Sequence, residues 1–230
     1  MNAVNAAADS PRAGQTLTDT TFVIDKTVLD SHYQGLDLPA VPGAPIPTSV
    51  LSKPDNDYIL EAGYAYRVGH LWMRQGWSFH RPLERDVVYQ IHGKIHEIYP
   101  RRDRNVVRYQ TDVVAPDGQC VARSEHHQSF LAKPVDDGAV ALRDPKSKPG
   151  ARKFDVPEGT PFESLSRRIS VEMCGTYFHG KSSYHTDASA SRELGFEDIV
   201  VGGRMTMAYA VHALESRYGE RWFDSGQIDV

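Results

Sequence analysis

His185-Thr186-Asp187, then Gly195-Phe196, Ile199-Val200-Val201-Gly202-Gly203 and Thr206-Met207-Ala208-Tyr209-Ala210: this run decides how the chain is read. A histidine stands in a polar loop, a short connection follows, and a glycine pair opens an amphipathic segment. From Met205 to Tyr218 the residues Met207, Ala210, Val211, Leu214 and Tyr218 fall at helical spacing on one face, with Glu215 and Arg217 off it. That spacing predicts a central, largely buried helix. Trp222 to Val230 is expected to begin a further strand.

Upstream, Val87, Tyr89, Ile91 and Ile95 share one face of an alternating segment, and Gln90, His92, Lys94 and His96 share the other. Asn105 to Val114 repeats the alternation, Pro116-Asp117-Gly118 supplies turn chemistry, and Cys120 to Leu131 returns from it as a third long strand. Three such strands in a row make an antiparallel meander, with Arg101-Arg102-Asp103-Arg104 as a solvated hairpin tip. From Lys133 to Pro161 the composition shifts to Pro, Gly, Lys and Asp, which reads as a linker. Beyond it, Arg168 to Met173 alternates like a strand.

Trp72-Met73-Arg74-Gln75-Gly76 is echoed by Trp222-Phe223-Asp224-Ser225-Gly226. If the echo marks equivalent positions, the second unit lacks most of its sheet. The expected organisation is therefore a flexible N-terminus over 1–21, a first unit over 22–132, the linker over 133–161, and a second, incomplete unit over 162–230. An unpaired sheet edge then predicts that the chain is not a monomer.

With 230 residues, 40% hydrophobic, 24% charged and a formal charge of −4, the chain reads as a soluble globular protein of one large or two small units. Nothing in that balance calls for nucleic acid or an anionic membrane as partner. No apolar run is long enough to span a bilayer. Met1 to Thr21 lacks the basic start and apolar stretch of a signal peptide, so a cytoplasmic location is the default expectation. The two cysteines, Cys120 and Cys174, argue against a disulfide framework and read as small core residues.

The order of residues from His185 to Ala210 resembles the hydratase signature of the MaoC-like hot-dog family, which adds water to acyl thioesters or removes it. The resemblance implies an α+β hot-dog fold, an antiparallel sheet wrapped around a central helix, here as a double hot-dog with a truncated second unit. Phe79-His80-Arg81-Pro82-Leu83 also looks like the strand entry of that family. Hydration needs a base to activate water, an acid to protonate the α carbon, and a donor for the enolate oxygen. In the family an Asp and a His do the proton work, and a backbone N–H at the start of the hot-dog helix polarises the thioester carbonyl. By that resemblance His185 is the acid/base and Gly203 the oxyanion glycine, with Gly202 standing where the family usually has His.

One departure matters as much. The family carries Asp five residues before the His, in an Asp-x-Asn-Pro-x-His run, whereas this chain reads Gly180-Lys181-Ser182-Ser183-Tyr184-His185. A partner carboxylate must come from elsewhere, Asp187 for example, or the polar work falls to His179, Tyr177 or a serine. Thr186 or Asp187 could equally cap a short helix through Ala190 to Leu194. Gly180, Lys181, Tyr184, His179 and Gly202 are the positions expected to line the substrate. The substrate implied is an acyl thioester of coenzyme A or a carrier protein, as in fatty acid or polyketide metabolism, and no separate cofactor is expected. Two other readings stay open: a non-catalytic hot-dog subunit that shapes the acyl tunnel for a partner in a homo- or hetero-oligomer, and a hot-dog thioesterase.

Gly175-Thr176-Tyr177-Phe178-His179-Gly180-Lys181-Ser182 also satisfies the phosphate-loop pattern G-x-x-x-x-G-K-[ST]. Too few residues follow for the remaining parallel strands, and the upstream meander is antiparallel, so the nucleotide reading is set aside. His126 and His127 point to opposite faces of a strand and His92 and His96 lie too far apart along one, so no metal site is predicted. His212 reads as a core histidine.

Overall fold

The computed structural model describes residues 10–64, 70–132, 159–160, 166–180 and 183–230. Its frame is a six-stranded antiparallel sheet in the order β1-β3-β4-β5-β2-β6, built from β1 (Thr20–Val23), β2 (Leu71–Phe79), β3 (Val88–Arg101), β4 (Arg104–Val114), β5 (Cys120–Leu131) and β6 (Gln227–Asp229). Helices α1 (Lys26–Gly35), α2 (Ser52–Asp57) and α3 (Ile59–Ala62), with a 3₁₀ turn at Thr48–Leu51, lie between β1 and β2. After β5 come α4 (Val171–Tyr177), α5 (Ala188–Glu193), α6 (Gly203–Tyr218) and α7 (Glu220–Ser225), and β6 then pairs with β2.

The meander follows from the alternation. Tyr89, Ile91 and Ile95 of β3, Val107, Tyr109 and Val113 of β4, and Val121 and Phe130 of β5 are buried in one core with Tyr58 and Ile59 of the helical segment. The polar partners of the β3 alternation stay outside, and His92 there meets Asp19 at 2.8 Å. Gly93 interrupts the inner row because the Tyr58 ring occupies the space its side chain would take: a Cβ there would lie 2.8 Å from Tyr58 Cε2. Tyr58 then donates its hydroxyl proton to the carbonyls of Thr18 and Ile91. The helical segment is thus pinned to one face of the sheet.

Four expectations need correction. Arg168 to Met173 is not a strand: Ser170 accepts from Met173 N at 3.2 Å and caps helix α4, so local capping overrides a weak alternation. Glu220–Ser225 is helix α7, and only Gln227–Asp229 is strand, so the tryptophan echo pairs a strand position, Trp72, with a helical one, Trp222. Helix α6 buries Met205, Met207, Ala208, Val211 and Glu215, whereas Ala210 and Tyr218 are exposed. Its inner face is rotated because Glu215 finds donors inside: the N–H and hydroxyl of Thr48, at 2.7 and 2.9 Å. Cys174 is buried and Cys120 half-buried, so only the first is a core residue. The linker expected over 133–161 falls outside the described residues, apart from 159 and 160, as do 1–9 of the N-terminus expected to be flexible over 1–21; the rest of that stretch is instead tied to β3, with Leu17 buried and its N–H donating to Gly93 O at 2.8 Å. Among the described residues no helix is long and apolar enough to cross a membrane.

Candidate functional site

Helix α6 begins without a side-chain cap. Gly202 sits at the N-cap in an extended conformation, and the first helical N–H groups, those of Gly203 and Arg204, precede the first intrahelical bond at Met205 N. Among the described residues nothing bonds these N–H groups, so a 16-residue helix presents them, with the positive end of its dipole, to whatever lies before it.

His185 lies there. Its ring is buried, stacked on Phe178 with centroids 4.0 Å apart and tilted against Tyr184 at 3.9 Å. Nδ1 is 2.7 Å from the carbonyl oxygen of Val200. A carbonyl can only accept, so Nδ1 carries the proton, and in the neutral ring Nε2 keeps its lone pair. Burial lowers the His185 pKa, the Val200 bond opposes that, and the Arg204 charge lowers it further. The ring is thus a neutral base at physiological pH.

The glycine pair makes this approach possible. A Cβ on Gly202 would lie 2.2 Å from Phe178 Cζ and 3.2 Å from His185 Cε1, and one on Gly203 would lie 2.0 Å from Trp72 Cε3. Neither position admits a side chain without displacing a ring. By standard backbone lengths the Gly202 contact brings His185 within roughly 7 Å of the Gly203 nitrogen.

The other sequence-selected residues divide. Tyr184 stays with His185, and its ring also meets His70 at 5.8 Å; burial raises its hydroxyl pKa. Asp187 is the N-cap of α5, accepting from Ser189 N at 2.7 Å and Ala190 N at 3.3 Å, so the capping alternative describes its carboxylate. His179 adopts a positive φ of 53° and turns toward α1, with Nδ1 3.5 Å from Ser31 Oγ. Gly180 leaves open space, since a Cβ there would come no closer than 3.8 Å to Phe178 O. Lys181 lies outside the described residues. Gly175 and Tyr177 of the phosphate-loop pattern belong to helix α4, and residues 166–170 before it belong to no strand.

Several neighbours were not selected from the sequence. Arg204 lies over the rings of Tyr177 and Phe178, at 5.3 and 5.5 Å, and donates from Nε to Ser52 Oγ. Its position directly after the glycine pair was the one available signal. Trp72 covers Gly203. Behind Trp72, Asp55 of α2 accepts from Thr111 Oγ1, Ser124 Oγ and His126 Nδ1, the last at 2.9 Å. His126 Nε2 meets Gln128 Oε1 at 3.0 Å, and the Gln128 amide donates to His70 Nδ1 at 3.2 Å. A buried polar chain thus runs from the first helical segment to the edge of the His185 site.

No protein family model and no curated protein matches the chain. Solved structures do. A MaoC-like dehydratase superposes with a TM-score of 0.65 at 14% identity, over 94% of this chain and 78% of that one. The full-length peroxisomal multifunctional enzyme type 2 of Drosophila melanogaster gives 0.64 at 16%, over 90% of this chain and 38% of that enzyme. A Mycobacterium tuberculosis protein described as having a double hot-dog fold gives 0.55 at 14%, over 91% and 77%. The chain therefore has the α+β hot-dog fold seen in MaoC-like dehydratases.

Proposed function

We propose that the chain is a hydratase or dehydratase of acyl thioesters, with His185 as acid and base and the Gly203 N–H as donor to the thioester carbonyl. One observation carries the reading: a neutral imidazole with its Nδ1 proton committed to Val200 and Nε2 left as acceptor, set beside the uncapped start of α6. In hydration Nε2 takes a proton from water as the water oxygen bonds to the β carbon. The double-bond electron pair moves toward the α carbon and the thioester oxygen, where helix N–H groups meet the growing charge. The imidazolium then returns its proton to the α carbon, and dehydration is the reverse.

One histidine so handles both proton steps, and the carboxyl absent at Gly180 costs rate rather than the reaction itself. Asp187 acts in this reading by holding the His185 loop as the α5 cap. In this reading residues 22–132 form a first hot-dog unit and 162–230 a second, incomplete one whose strand β6 pairs with β2 of the first, and the chain works within an oligomer. The substrate brings its own coenzyme A or phosphopantetheine. A second reading, a non-catalytic thioester-binding subunit, is favoured by the same two carboxylate facts: none at Gly180, and Asp187 engaged in capping.

The test is loss of enoyl absorbance from a panel of (E)-2-enoyl-CoA thioesters. Wild-type protein should turn over at least one, and His185→Ala should abolish turnover with an unchanged far-ultraviolet circular dichroism spectrum. Thioester binding without any wild-type turnover would favour the non-catalytic subunit instead.

A further inference from the structure

We propose that Trp72 is a fixed wall that confines the site to short acyl chains, cutting the His185 side of α6 off from an apolar groove that runs along the same helix. The inference rests on the hydratase reading above. Its starting point is that consecutive glycines face different compartments. Gly202 faces Phe178 and His185, whereas Gly203 faces the indole of Trp72.

On the Trp72 side a mostly apolar groove of about 300 Å³ opens between the 72–75 stretch of β2, Arg74 and Gln75 included, the Gly203, Thr206, Met207 and Ala210 stripe of α6, and Val230. Positions 203, 206, 207 and 210 form one stripe of α6, so the groove follows the helix for two turns, roughly 10 Å at the α-helical rise. His185 is not among its lining residues. An acyl chain that begins beside His185 and Gly203 would run into this groove if the indole were gone.

The indole does not move freely. Its Nε1 donates to the buried Gln75 Oε1 at 3.1 Å, and its ring stacks on His126 at 5.7 Å and 18°. His126 is in turn held by Asp55. The register shift in β2 between Trp72 and Arg74 re-aims the side chain over Gly203, a common use of a β-bulge beside a site. On its other face the ring lies close against Gly203, where a Cβ would come 2.0 Å from Trp72 Cε3. Trp72 is therefore a wall set by packing rather than a gate.

The experiment is a chain-length series. kcat/KM is measured on even-numbered (E)-2-enoyl-CoA thioesters from four to twelve carbons for wild type, Trp72→Ala and the double variant Trp72→Ala/Ala210→Trp. Wild type should prefer the shortest chains. Trp72→Ala should gain on longer ones by about fourfold for each methylene that becomes buried, and refilling the groove at Ala210 should erase that gain. Trp72→Leu serves where the alanine variant does not fold, with a smaller gain. Parallel wild-type and Trp72 profiles, or a wild type that prefers twelve carbons, would overturn the wall.

If no protein turns over any chain length, the hydratase reading fails and calorimetry with saturated butyryl-CoA and dodecanoyl-CoA decides about the wall. Tighter binding of the dodecanoyl thioester alone by Trp72→Ala supports it. Equal changes for both ligands overturn it.

Discussion

Glu215 sits inside α6, 8% exposed, with Thr48 as its partner. Burial raises its pKa from 4.5 to about 7, against the opposing effect of the two Thr48 bonds. In the unfolded chain the same carboxyl ionises near its ordinary value. Below pH 4.5 both states hold the proton and nothing is lost. Between 4.5 and about 7 the native state binds more protons than the unfolded one, so stability falls as pH rises. Above that window the loss is complete, about 3 kcal/mol at roughly 1.4 kcal/mol per pH unit. Glu215→Gln keeps an oxygen for the Thr48 donors and removes the ionisation. Urea unfolding followed by tryptophan fluorescence at pH 4 and pH 8.5 reads the difference directly. The variant should match wild type within about 1 kcal/mol at pH 4, one hydrogen bond's worth, and exceed it by about 3 kcal/mol at pH 8.5. His32, lowered to about 3 chiefly by burial, acts in the other direction: its contribution is lost as pH falls from 6.5 toward 3. That term is common to both proteins and cancels. A wild-type advantage at pH 8.5, or a difference independent of pH, would refute the reasoning.

Gly180→Asp should fold, because the position has no positive φ and, among the described residues, its Cβ meets only Phe178 O at 3.8 Å and Ser183 Cβ at 3.9 Å. It should raise the enoyl-CoA hydration rate by about 10²-fold, the low end for one member of an acid–base pair, and an unchanged rate would show that a carboxyl at 180 does not reach the reacting atoms. Asp55→Ala should lower stability by about 3 kcal/mol or more, since the buried donors Thr111 Oγ1, Ser124 Oγ and His126 Nδ1 would all lose their acceptor, at roughly 1–3 kcal/mol each. A urea midpoint within error of wild type would remove the pair from the stability of the fold.

The meander was legible because a two-faced sheet writes itself as alternation, and Cys120–Leu131 was bounded correctly by its turn and linker signals. Where a distant partner decided, local pattern failed. Glu215 and Thr48 are 167 residues apart, so no window around α6 could show that a carboxyl belonged inside and Tyr218 outside. Ser170 illustrates the converse, a local cap strong enough to turn an alternating hexamer into a helix start. At the site, His185 and the glycine pair were found through their order along the chain. Phe178, Val200, Arg204 and Trp72 were not, because their roles are contacts across loops and between sheet and helix. Asp55 and His126, 71 residues apart, formed no motif at all.

That last pair sharpens the case for His185. The first helical segment and β5 together hold a buried Asp–His pair, which resembles the very acid–base couple that Gly180 denies to the second half of the chain. Geometry separates the two histidines. His126 has a bond on each ring nitrogen, to Asp55 and to Gln128, and a ring stacked on each side, Tyr109 at 4.6 Å and Trp72 at 5.7 Å. No atom of it remains to take a proton from a substrate. His185 has one nitrogen bonded, to a backbone carbonyl that fixes the tautomer, while among the described residues nothing bonds the other. His126 beneath Trp72 thus has both ring nitrogens engaged, whereas His185 before Gly203 keeps one nitrogen open for the proton transfers proposed for it.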